Sequence, residues 1–394
     1  MKLIFVSGFI FFTVILSSWT VLASSSFNVL DYGAAGNGET DDTEAFVKAW
    51  KDVCEATDDI PTLQVPATKI YLLNPITFEG PCKSEQVNFE LKGTLMAPSK
   101  DAWPNDNDKW IQFVDIDGLT INGGGKMNGQ GSLWWEGCEE HCDHPTALFF
   151  HNCNGLHLQN TEHIDSAKNH ISINFCNDVT VSDIHVNAPE DSPNTDGIDI
   201  SRSTNVIIQN SFMLTGDDCI AINNGSSYIT IKGVTCGPGH GISVGSLGED
   251  GQFNSVESIY VSDTLLKGTQ NGVRIKMWES GYGYARNITF EQITFEDVKN
   301  PIIIDQYYTS FASTRENKEM GIKVSDVTYR GVNGTSADEN VITFKCSQAS
   351  CTNIILDHVD IQMSNPDDEA KVFCQNVIGK AKSVVPIVPC LSEF

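Results

Sequence analysis

Basic residues are scarce in this chain: 25 Lys and Arg stand against 51 Asp and Glu among 394 residues, a formal net charge of −26. Such a surface repels polyanions at long range, which argues against nucleic acid as a partner. An acidic substrate would need a local basic cluster to overcome that field. Charged residues make up only 19% and hydrophobic ones 40%, a globular composition that excludes a wholly disordered chain. Beyond residue 16 no apolar run is long enough to span a bilayer. No Pro/Ser-rich linker or abrupt charge shift divides the chain, so residues 24–394 read as one domain. Long helices are disfavoured as well, because 32 Gly and 14 Pro favour many turns.

Lys2, an apolar run from Leu3 to Leu16 and the small-residue ending Val21-Leu22-Ala23 follow the order of a secretory signal peptide, with cleavage expected after Ala23. The competing reading, a membrane anchor, needs roughly 20 apolar residues, more than this run supplies. The mature protein is expected to be secreted, free of the membrane and monomeric. Twelve cysteines, an even number, suit an oxidising route, and Cys138–Cys142 and Cys346–Cys351 have the spacing of local staples. Zinc is the alternative for Cys138-Glu-Glu-His-Cys142-Asp-His144, but that spacing matches no common zinc pattern. No metal and no other cofactor is expected. Asn224, Asn287 and Asn333 are glycosylation sequons.

A short phrase recurs from about residue 118: an Asn or Gly, alternating apolar residues, a break, then a second short strand. It reads Gly118-Leu-Thr-Ile, Gly155-Leu-His-Leu, Asp178-Val-Thr-Val, Asn205-Val-Ile-Ile, Tyr228-Ile-Thr-Ile, Ser258-Ile-Tyr-Val, Asn287-Ile-Thr-Phe, Gly321-Ile-Lys-Val and Asn353-Ile-Ile-Leu. A repeat of this length with β-branched segments too short for helices indicates a stacked solenoid. Leucine-rich repeats lack support, since their Leu-x-x-Leu-x-Leu skeleton is missing, and a propeller needs about 40 residues per blade. The expectation is all-β: a right-handed parallel β-helix with about three strands per coil. Phe27-Asn-Val-Leu-Asp-Tyr-Gly33 reads as its opening strand. Asp41 to Trp50 reads as an N-terminal helix that caps the first coil.

Four phrases carry the chemistry: Asn194-Thr-Asp196, Gly216-Asp217-Asp218, Gly239-His240-Gly241 and Arg274-Ile-Lys276. Asp196 to Asp217 is 21 residues and Asp217 to His240 is 23, each close to one coil. Equivalent positions in successive coils stack about 4.8 Å apart, so these side chains should form one stripe. Arg274 and Lys276, two apart on a strand, should face the same side. An isolated Asp-Asp is ordinarily solvated turn chemistry, and His240 between glycines could be a turn residue. The solenoid spacing and the scarce cations beside them favour a site. Stacked carboxylates repel, which raises the pKa of at least one, and a raised acid beside ionised partners suits glycosidic hydrolysis.

Together with Ala188-Pro-Glu-Asp-Ser-Pro-Asn-Thr-Asp-Gly197, Cys236-Gly-Pro-Gly-His-Gly-Ile-Ser-Val-Gly-Ser-Leu-Gly248, Asp31-Tyr-Gly33, Gly123-Gly-Gly125 and Pro301-Ile-Ile-Ile-Asp-Gln306, these phrases resemble plant polygalacturonases of glycoside hydrolase family 28. The resemblance runs from Phe27 almost to the C-terminus. It implies a right-handed parallel β-helix that hydrolyses α-1,4 bonds of homogalacturonan, the galacturonate backbone of pectin, with inversion and without metal. It makes Asp217 the general acid, Asp196 and Asp218 the groups that activate water, and His240 the support of the acid. Asn194, Arg274, Lys276 and Tyr308 then contact substrate.

Two departures stand out. Thr309 follows Tyr308 where many plant relatives have Cys, with no further Cys before Cys346, so the 307–320 loop lacks a usual staple. Tyr307 stands where Asn is frequent. Competing readings are a calcium-dependent pectate lyase, a non-catalytic wall-binding solenoid and a rhamnogalacturonan hydrolase. Endo action is the favoured mode.

Overall fold

The computed structural model describes residues 25–57, 59–104, 107–137, 143–308 and 321–393. Short strands of alternating apolar residues must find partners for every backbone N–H and C=O, and here they find them by winding. Ile171–Asn174, Asn177–Ser182 and His185–Asn187 make one coil; Ile198–Ser201, Thr204–Gln209 and Phe212–Leu214 make the next. Each strand pairs in parallel with its equivalent one coil on. The coil winds right-handed, as crossovers between right-twisted parallel strands do. The molecule is a right-handed parallel β-helix with three strands per coil.

The first strand of each coil lies in an 11-stranded sheet, and the other two form a 22-stranded ladder. The 11-stranded sheet is β1 (Ile76–Glu79), β2 (Lys109–Val114), β3 (Thr146–His151), β4 (Ile171–Asn174), β5 (Ile198–Ser201), β6 (Asp218–Ile222), β7 (Gly241–Leu247), β8 (Asn271–Met277), β9 (Asn300–Asp305), β10 (Asn340–Lys345) and β11 (Lys371–Gln375). Its inward side chains stack in register: Leu148, Ile171, Ile198, Ile220, Ile242, Val273, Ile302 and Ile342 are each fully buried. Burial of each such side chain contributes roughly 1.5–3 kcal/mol.

The residue that opens each recurring phrase is a corner. Gly118, Gly155, Asp178, Asn205, Tyr228, Ser258, Asn287, Asp326 and Asn353 have φ between 54° and 66°, a left-handed conformation that Gly, Asn and Asp adopt at least cost. The Gly321 phrase is not one of these repeats. Ile322 pairs with Gly283, whereas Thr328, in Asp326-Val-Thr-Tyr, lies opposite Thr289. Both phrases belong to one long strand, Ile322–Ser336, whose alternation skips at Ser325-Asp326, the corner that is in register.

The capping helix, α1, spans Thr43–Glu55 and buries Phe46, Trp50 and Val53. Trp50 stands edge-on to Phe78 at 5.3 Å and to Phe113 at 6.0 Å, sealing the first coil. Asp42 occupies the N-cap position, but its carboxylate accepts instead from the N–H groups of Ala35 (2.6 Å) and Gly36 (3.0 Å). The expected opening strand is shorter, Ser26–Asn28. Asn28 then accepts from the N–H of Leu30 and starts a 3₁₀ turn, Val29–Tyr32, which Gly33 ends at φ 98°.

Disulfides join Cys54–Cys82, Cys219–Cys236, Cys346–Cys351 and Cys374–Cys390. Cys153 and Cys176 are free and buried one above the other, the Cys153 N–H donating to Cys176 Sγ over 3.3 Å. Residues 1–23, the Cys138–Cys142 staple and the loop after Tyr308 lie outside the described residues.

Candidate active site

Across β5 to β8 the outward row Asp199, Ala221, Ser243 and Arg274 is in register. Asp218, at the start of β6, is 1% exposed and surrounded by donors. Its Oδ1 accepts from Arg274 Nη2 and from Ser243 Oγ, both at 2.8 Å, and its Oδ2 from Lys276 Nζ at 2.9 Å. Arg274 Nε also donates to Ser243 Oγ at 3.0 Å. Burying a carboxylate is costly unless it is paired and hydrogen-bonded, and this cage supplies both conditions. Asp218 and the Arg274 charge move the Lys276 pKa in opposite directions; burial, the largest influence, opposes protonation, yet the net shift is upward. The Tyr308 ring lies over both cations, 5.7 Å from Arg274 Cζ and 5.2 Å from Lys276 Nζ.

Asp217 points toward the surface instead. Its Oδ1 is 2.8 Å from His240 Nδ1 and accepts from the Asp218 N–H, also at 2.8 Å, while Asn194 Nδ2 is 3.5 Å from Oδ2. The sequence spacing predicted a single stripe of Asp196, Asp217 and His240, but the sheet makes two rows. Ile198 lies opposite Ile220, which sets Asp196 level with Asp218. A bulge at Cys219 between Asp218 and Ile220 then sets Asp217 level with His240. The bulge turns two consecutive aspartates to different tasks, one buried and one facing out.

Local sequence enforces this arrangement. A Cβ on Gly216 would overlap the Ser192 carbonyl, and one on Gly239, at φ 118°, would stand 2.5 Å from the Asp217 carbonyl oxygen. The Cys219–Cys236 disulfide ties the Asp217-Asp218 segment to the strand that leads into His240. His170 is fixed in one tautomer: Ser166 N–H donates to Nε2, so Nδ1 donates to the Asp196 carbonyl, 3.1 Å away.

The charges are uneven. Asp196 is held well above the ordinary carboxylate range by burial first, then by repulsion from Asp199, Asp217 and Asp218. Asp199 is pushed up to about 7 by burial and by the charges of Asp218 and Asp217. Asp217 also feels burial, but the His240 hydrogen bond, the His240 and Lys276 charges and the Asp218 N–H outweigh it and hold the carboxyl below its usual range. A raised acid was expected from the stacking; it is Asp196 together with Asp199, not Asp217 in the free protein.

The fold brings together all eight residues expected from the sequence: Asn194, Asp196, Asp217, Asp218, His240, Arg274, Lys276 and Tyr308. Asp199, Ser243 and His170 escaped that reading. Asp199 and Ser243 share the outward row with Arg274, a signal legible only once the strand register is known. Asp217, Asp218 and His240 each offer a ligand atom within 4.8 Å of the others. They make a poor cation site, because both Asp218 oxygens already face bound cationic side chains. A concavity of about 460 Å³ lies elsewhere, between Asn160, Glu162, His185 and Leu214.

Comparison with known proteins agrees with this geometry. Residues 54–384 match the sequence profile of glycosyl hydrolases family 28. The chain is 47% identical to a "Probable polygalacturonase" of Arabidopsis thaliana over 98% of this chain and 84% of that protein. It is 43% identical to a polygalacturonase of Persea americana, over 90% of this chain and 77% of the relative. Among solved structures it resembles the endo-xylogalacturonan hydrolase of Aspergillus tubingensis, with a TM-score of 0.78 and 24% identity over 90% of this chain and 96% of the other, a likeness of fold. The chain belongs to glycosyl hydrolase family 28, and it is a glycoside hydrolase.

Proposed function

We propose that the protein is a secreted, monomeric, endo-acting polygalacturonase that hydrolyses α-1,4 bonds within homogalacturonan of the plant cell wall, with inversion. One observation carries the reading: the outward Asp217–His240 pair stands beside a buried Asp218 clamped by Arg274 and Lys276 on an otherwise acidic protein. Asp217 is the general acid, and His240 shares its proton. A uronate bound alongside adds negative charge, which raises the Asp217 pKa toward the protonated form that donation requires. Asp196 and Asp218 hold the attacking water. Arg274 and Lys276 fix Asp218 with part of their donor sets and offer the remainder to a substrate carboxylate beneath Tyr308, with Asn194 at the opposite edge. The leader at residues 1–23 directs the chain to the wall, and residues 24–394 form the catalytic domain. Among the described residues no helix is long and apolar enough to cross a membrane.

The product sizes from de-esterified homogalacturonan test this directly. A spread of oligomers early in the reaction is expected. Monomer alone would make the enzyme exo-acting, an unsaturated product would make it a lyase, and an intact polymer would remove the assignment altogether.

A further inference from the structure

The outer face of the catalytic sheet continues toward the N-terminus past the carboxylates, and its character changes there. In register with Asp199 lie Ser172 and then Phe149. One row over, His151, Asn174 and Ser201 align, and they are linked by hydrogen bonds: His151 Nδ1 to Asn174 Oδ1 at 3.0 Å and Asn174 Nδ2 to Ser201 Oγ at 2.6 Å. Phe149 stacks on His151 at 6.1 Å, and Phe175 stands edge-on to His151 at 5.4 Å. Arg202 lies over the Phe175 ring with Cζ 5.1 Å from its centroid.

The corner that ends these strands is informative. Asp115, Asn152, Phe175 and Arg202 occupy equivalent places, with φ of 57°, 53°, 54° and 49°. Asp and Asn adopt that conformation readily, whereas Phe and Arg do so only against steric cost. Strain of this kind is a pointer to function when the side chain gains nothing from burial. Phe175 is 45% exposed, so burial does not account for it. Arg202 is exposed and, among the described residues, forms no ion pair, although acidic residues are twice as numerous as basic ones.

We infer that Phe149, His151 and Phe175, with Arg202 over the Phe175 ring, form a distal subsite for a uronate unit of the polymer, one to two coils N-terminal to the scissile position. The aromatic surfaces take the apolar face of the sugar ring, and the planar guanidinium of Arg202 grips its carboxylate. This rests on the proposed polygalacturonase reading, and it adds residues that choose long substrates over short ones. Because Arg274 and Lys276 are largely committed to Asp218, an unpaired cation on the same face is what a second uronate requires. The subsite binds before and after bond cleavage alike, so it lowers KM without touching the chemical step.

Phe175→Asn and Arg202→Gln test the inference. Asn is the residue that the neighbouring corner already uses, so Phe175→Asn should match or exceed the wild-type melting temperature, which guards against misfolding. On long oligogalacturonates each variant should raise KM about ten-fold with kcat nearly unchanged. On the shortest oligomer that wild type cleaves, KM should not move. If KM on long substrates is unaltered, or if it rises equally on the shortest one, the subsite is overturned. Failure of the polygalacturonase reading would look different, since wild-type enzyme would then leave all of these substrates intact.

Discussion

Arg274 Nη2 donates to Asp218 Oδ1 over 2.8 Å, and both side chains are buried. An arginine held this way acts first on the carboxylate and only then on any substrate. Arg274→Gln leaves Lys276 as the single cation on a buried charge, and loss of a charged hydrogen bond costs about 1.5–3 kcal/mol. We expect a lower denaturation midpoint together with a fall in kcat. The activity loss should be parallel on de-esterified and methyl-esterified polymer to the extent that Arg274 works through Asp218. A change in the ratio of the two rates would measure its direct grip on the uronate, because an ester carries no charge to recognise.

Asp217 Oδ1 lies 2.8 Å from His240 Nδ1. Asp217→Asn is nearly isosteric and cannot donate a proton, so kcat should drop by about a hundred- to ten-thousand-fold while the circular dichroism and melting temperature persist. A folded variant that keeps more than a tenth of the wild-type rate would displace Asp217 from the role of acid. The same pair makes a second measurement informative. In the free protein the Asp217 carboxyl sits below its usual range. An anionic substrate raises it, so the alkaline limb of kcat should lie at higher pH than that of kcat/KM.

Much of this was legible before the structure, for physical reasons that differ by residue. The left-handed corner demands Gly, Asn or Asp, so the opening residues of the repeats announced the coil. Tyr228 and Ser258 break that preference and were recognisable only from the alternation after them. The site phrases were legible because their spacing is close to one coil. Register was not: the Cys219 bulge shifts Asp217 by one position, and no composition reveals a bulge. Asp199 was missed because Ile198-Asp-Ile-Ser201 reads as any alternating strand until Ser243 and Arg274 are seen beside it. Commitment of Arg274 to Asp218 likewise depends on side chains 56 residues apart.

Asp199 provides a test of electrostatics by stability alone. Its carboxyl titrates near 3.9 in an unfolded chain but is pushed up to about 7 here. Between those values the unfolded state has lost a proton that the folded state retains, so stability falls as pH rises through the window. Asp199→Asn removes that penalty and can keep the hydrogen bond from Asn169 Nδ2, now 2.7 Å long. The variant should equal wild type at pH 4 and exceed it increasingly toward pH 7, read as melting temperature against pH. A constant difference across the range would show that Asp199 is not the titrating group.

The stereochemical course separates the two ways in which paired carboxylates cleave a glycoside. Retention needs one of them to attack the sugar carbon, with about 5–5.5 Å between the groups, whereas inversion leaves room for a water at about 6.5–9.5 Å. Asp218 is ill suited to attack: Arg274, Ser243 and Lys276 draw on both of its oxygens and disperse the charge that a nucleophile needs. Asp196 is pushed toward its protonated, non-nucleophilic form by burial and by its acidic neighbours. Each can still accept a hydrogen bond from water, and two such acceptors level with each other in adjacent coils orient that water for direct displacement. The first product from an α linkage should therefore be the β anomer. Proton NMR within the first turnovers, before mutarotation mixes the forms, reads the outcome; initial α anomer would mean that a carboxylate attacks after all.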